Sequence, residues 1–127
     1  MTATTLAAAG LIGIALFQLA LASGAPLGRA AWGGTHTGTL PRNLRIASAV
    51  AVLVWLSATL VVLRRGGLGP LAVPYPLAYW GTWILCGLLL LGALMNVASS
   101  SPWERYFWGP YALVLAGLCF LAGRGGT

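Results

Sequence analysis

The 127-residue sequence has no lysine, no aspartate, one glutamate (Glu104), one histidine (His36) and two cysteines (Cys86 and Cys119). Each gap removes a class of chemistry. Without lysine there is no G-x-x-x-x-G-K-[ST] phosphate loop, in spite of a glycine-rich stretch that invites the comparison. A lone carboxylate cannot form the acid pair of a glycosidase. Neither an H-E-x-x-H helix nor a G-x-S-x-G elbow is present. The cysteines lie inside apolar runs and lack C-x-x-C or zinc-type spacing, so they are expected to act as small apolar residues. No metal and no cofactor is expected.

Charge is also scarce. Only 6% of residues are charged, against 59% hydrophobic, and the mean hydropathy is +0.89. That lies far from a soluble domain and predicts a single integral membrane domain. The net charge of +6 comes from seven arginines: Arg29, Arg42, Arg45, Arg64, Arg65, Arg105 and Arg124. They stand singly or in pairs at the ends of apolar stretches. This predicts anchors whose heads reach lipid phosphates while their stems stay in hydrocarbon, not a nucleic-acid surface. The bilayer is the expected partner.

Four apolar stretches fill most of the chain, at about 4–23, 46–63, 77–97 and 106–123. At about 1.5 Å per residue, each is near the thickness of a hydrocarbon core. The predicted fold is all-α, a four-transmembrane-helix bundle with a glycine-rich first loop. A cleaved signal peptide is the alternative for the first stretch, because Ser23-Gly24-Ala25 offers small residues at a cleavage position. The absence of a basic segment before the apolar run, and Pro26 just after, argue for a retained span. Small residues four apart (Ala9 with Gly13, Ala47 with Ala51, Ala112 with Ala116) offer close helix contacts.

The connections differ in character. The first, Gly24 to Asn43, holds glycines at 24, 28, 33, 34 and 38 with Pro26, Trp32 and Pro41, and is expected to be turn-rich or loose. The second, Arg64 to Pro76, reads as punctuation. The third, Ala98 to Glu104, supplies Ser99-Ser100-Ser101-Pro102 as a helix cap and an early proline. Four spans put the first and third loops on one side, with both termini and the second loop on the other. Arginines are nearly balanced across the two sides; the tight Arg64-Arg65 pair tips the expectation toward cytoplasmic termini.

Nearly all ionisable chemistry falls on the side of loops one and three. The candidate binding residues are Arg29, Trp32, His36, Arg42, Arg45, Asn96, Glu104 and Arg105, with no catalytic assignment. Arginines could grip an anion through forked hydrogen bonds and Trp32 could supply an apolar wall. Glu104 is expected to pair with Arg105 or a first-loop arginine and to cap the fourth helix. Asn96 and Gln18 are expected to bond a neighbouring helix or a loop carbonyl.

Gly24-Ala25-Pro26-Leu27-Gly28, Trp32-Gly33-Gly34, His36 and Leu40-Pro41, followed by Asn96, Ser99, Ser101, Glu104-Arg105 and Trp108-Gly109-Pro110, resemble a pattern in short four-span bacterial membrane proteins of unknown function. The arginine-only, alanine- and glycine-rich composition is similar to that of high-GC bacteria such as actinobacteria. The resemblance implies four helical spans and two marked loops, and no activity.

The expected function is therefore binding of a small polar ligand, a lipid headgroup or a partner protein at the face of loops one and three, with a homo-oligomer or a membrane partner protein as the expected assembly. A membrane enzyme acting on a lipid or isoprenoid, with Glu104 and His36 as acid and base, is the first alternative. A transporter or channel component is the second; the lack of an ionisable residue in mid-span weighs against it.

Overall fold

A computed structural model describes residues 2–125 as four long helices joined by three connections. They are α1 (Ala3–Ala22), α2 (Arg42–Arg65), α3 (Tyr75–Val97) and α4 (Glu104–Gly123), and all four are long and apolar enough to cross a membrane. α1 packs most extensively on α2, and α3 on α4.

Small side chains set the packing. On α1, Ala3, Ala7, Leu11 and Ala15 recur every fourth residue and are all buried. This forms one narrow stripe that admits close neighbours, as lipid-solvated helices require. The central cluster joins Ala7 and Leu11 to Val62 of α2, Leu85, Cys86 and Leu89 of α3, and Leu115, Ala116, Cys119 and Ala122 of α4. Of the small pairs expected from sequence, Ala112 and Ala116 are both buried, Ala116 in this core, whereas Ala9 is exposed.

The first loop is folded, not loose. It contains two 3-10 turns, Gly28–Ala30 and Trp32–Gly34, and is pinned by the buried side chains of Ala31 and Leu40 against Leu21 of α1, with Phe17 and Leu44 packed alongside. A Cβ on Gly28 would strike the carbonyl oxygens of His36 and Gly38, and the Gly28 N–H donates to the Gly38 carbonyl at 3.0 Å. The loop thus closes on itself at a residue with no side chain.

α4 begins with a wide π turn, Glu104–Trp108. Pro110 explains it: proline lacks the N–H that would bond the Tyr106 carbonyl, and its ring crowds that carbonyl. The chain widens to a bond from the Gly109 N–H to the Glu104 carbonyl. Ser101 caps this helix as expected, its hydroxyl accepting the Glu104 N–H at 3.4 Å.

A candidate amphiphile cavity between the helices

A cavity of about 740 Å³ lies among all four helices at the end where loops one and three meet. Its apolar part is lined by Ile14, Val54, Trp55, Leu85, Leu88 and Leu89 among others. Its polar part is lined by Gln18, Asn96, Ser99 and Glu104, under a roof of Ala30, Ala31, Trp32 and Gly33 from the first loop. From Leu85 to Asn96 the lining follows α3 for about 16 Å, at about 1.5 Å per residue. Val54, Leu88 and Met95 are 56%, 58% and 66% exposed, so the cavity reaches the outer surface along α2 and α3.

The polar end is built by a bonded junction between the two loops. Glu104 accepts the Ser99 hydroxyl on Oε1 at 2.5 Å and the Gly33 N–H on Oε2 at 3.3 Å. The Ser101 hydroxyl donates to the Arg29 carbonyl at 2.6 Å, and the Ser101 N–H donates to Ser99 Oγ at 3.1 Å. Gly34 marks the closest approach, where an added Cβ would lie 2.7 Å from the Ser101 Cβ. Trp32, Gly33 and Gly34 carry φ values of +52, +82 and +75. For tryptophan this is an unusual left-handed backbone, held in place by its indole N–H donating to the buried Ser48 hydroxyl at 3.0 Å.

Of the residues singled out from sequence, Trp32, Asn96 and Glu104 line this cavity. Arg29 contributes its carbonyl to the junction, while its side chain is exposed and borders a neighbouring pocket of about 570 Å³ with Leu27, Trp103 and Phe107. Phe17, Ala30 and Trp108 line both spaces. Arg45 is half-buried and donates from Nε to the Ala22 carbonyl at 3.2 Å, capping the end of α1. Arg105 turns to the Val97 carbonyl at 3.0 Å, in place of the pairing with Glu104 expected from sequence. The carboxylate takes a hydroxyl and a main-chain N–H as its partners. Arg42 is exposed at the start of α2. His36 is exposed, with Nδ1 3.2 Å from the Thr35 hydroxyl, and is absent from the cavity lining.

Sequence reasoning missed several contributors. Trp55, Leu85 and Leu89 are apolar residues on apolar helices, and nothing local separates a cavity-facing leucine from a lipid-facing one. Gly92 lines the cavity and a Cβ there meets nothing within 4 Å, but the same holds at Gly87 and Gly117 outside it, so a helical glycine alone does not mark the space. The Gln18 Oε1 is buried without a hydrogen-bond partner, unlike the helix-bridging amide expected. Among the described residues no group of three metal-ligating side chains gathers. No family model, no curated protein and no solved structure matches the chain.

Proposed function

We propose that the protein is a multi-pass component of the cell membrane that binds a chain-bearing amphiphile, laid between its helices with the head under the first loop. The observation that supports this is the cavity's own division: one end polar, the rest apolar, and a flank reaching the surface along α2 and α3. A water-soluble metabolite would leave the long apolar part unfilled, and a headgroup alone would not need it. Its volume lies within the range of about 300–1,000 Å³ typical of ligand sites. This reading narrows the polar ligand expected from sequence to one that carries a tail.

Photolabelling tests it. A chain amphiphile with a diazirine on its tail is added to the protein in phosphatidylcholine nanodiscs and irradiated, and the labelled residues are mapped by mass spectrometry. Leu85 and Leu89 are 7% and 3% exposed, so bulk lipid labels them poorly. Saturable labelling of Leu85, Leu89 and Trp55 is expected. Label confined to outward residues such as Leu53, Leu94 and Leu113, rising without saturation, rejects the reading.

The acid–base alternative has less support, because the exposed His36 does not share the lining with Glu104.

A further inference from the structure

The bound head can be described further from the groups that await it, taking the amphiphile-binding reading of the cavity as the starting point. The chain carries +6 overall, which on composition alone favours an anionic ligand. The cavity inverts that bias. None of its lining residues is an arginine, and its one charged residue is Glu104.

Several donors at the polar end are already engaged. The Trp32 indole N–H goes to Ser48, the Gly33 N–H and the Ser99 hydroxyl go to Glu104, and the Tyr111 hydroxyl goes to the Gly10 carbonyl at 2.6 Å. The side-chain amides of Gln18 and Asn96 bring N–H donors as well as carbonyl oxygens to this end, so the bias of the site rests on Glu104. Each Glu104 oxygen holds one donor and has capacity for another. The Gln18 Oε1 is buried with no partner, and Asn96 adds a further amide oxygen at the same end. An anionic head here would face the Glu104 carboxylate, and like charges repel.

We infer that the cavity selects an amphiphile with a protonated amine head. A primary ammonium brings three donors and one positive charge, which matches three side-chain acceptors of which one is a carboxylate. The arginine-rich exterior and the acidic pocket are thus separate features. Two arginines adjoin lining residues in the sequence: Arg29 borders the adjoining pocket, and Arg105 bonds the Val97 carbonyl.

The test uses the full chain in phosphatidylcholine nanodiscs at about 0.15 M salt, where charges more than about 8 Å apart are largely screened. Dodecylamine, dodecanoate and dodecyl phosphate share one tail and differ in the head. Calorimetric titration is expected to give dodecylamine a Kd at least about tenfold below either anion, equivalent to about 1.4 kcal/mol. Glu104→Gln keeps an acceptor for Ser99 and is expected to shrink that preference to about twofold or less, or about 0.4 kcal/mol. Asn96→Asp leaves the loop junction intact, adds a second carboxylate at the head, and is expected to widen the preference. It therefore decides the matter even if Glu104→Gln does not fold.

Binding of dodecanoate or dodecyl phosphate as tightly as dodecylamine overturns the inference and leaves the cavity reading standing. A preference unchanged in Asn96→Asp overturns it as well. Failure of all three probes to bind saturably removes the cavity reading itself, and this inference with it.

Discussion

Gly33 and Glu104, 71 positions apart in the chain, meet at 3.3 Å, main-chain N–H to carboxylate, and this contact ties the first loop to the start of α4. A glycine-rich loop and a helix cap, each unremarkable alone, together make the roof and the polar end of one cavity.

Ser101 serves that junction twice, donating to the Arg29 carbonyl and accepting the Glu104 N–H. Ser101→Ala is expected to destabilise by about 1–2 kcal/mol, the usual cost of losing a helix cap. Ser100 is exposed, so Ser100→Ala is expected to stay within about 0.5 kcal/mol. Denaturation midpoints in detergent compare the two; equal effects would contradict the junction.

Three glycines of the first loop, Gly33, Gly34 and Gly38, give a graded series. Gly34→Ala faces both a φ of +75 and a contact with Ser101, whereas Gly33→Ala faces only its φ of +82 in open space. Gly38→Ala faces neither. Losses of stability are expected in the order Gly34, Gly33, Gly38, with Gly34→Ala costing about 1–3 kcal/mol. Thermal scans of the three variants check the order.

The arginines divide by what they bond. Arg45→Ala removes a charged donor from the Ala22 carbonyl and is expected to cost about 1.5–3 kcal/mol. Arg42, exposed on the same helix end, is expected to be replaceable by alanine within about 0.5 kcal/mol. Equal losses in the two denaturation curves would favour a common interface role for both.

The helices were legible because spanning a bilayer imposes a length and an apolar composition that any reader of the sequence can count. Parity then brought loops one and three to the same end. Partner choice was not legible. Arg45 and Arg105 look alike as residues flanking spans, yet each turned to a main-chain carbonyl, because the open end of a neighbouring helix offers an acceptor close by. Glu104 found Ser99 and Gly33 for a similar reason: the cap serine and the loop N–H arrive with the fold. The cavity was the hardest feature to foresee. In a lipid-exposed bundle a leucine facing a void and one facing acyl chains obey the same composition rule, and Gly92, which lines the space, reads like Gly87 and Gly117, which do not.

Gly92 therefore gives the most direct test of the central claim, that the space between the helices holds an amphiphile's tail. Gly92→Leu places a side chain into that space where a Cβ meets nothing within 4 Å, and it removes a helical glycine that costs about 0.5–1 kcal/mol relative to alanine. Native mass spectrometry of wild-type and Gly92→Leu protein, each loaded with dodecylamine, should show a bound probe in the first and none in the second, with thermal stability equal or higher in the variant. Equal probe occupancy in both proteins would contradict the account.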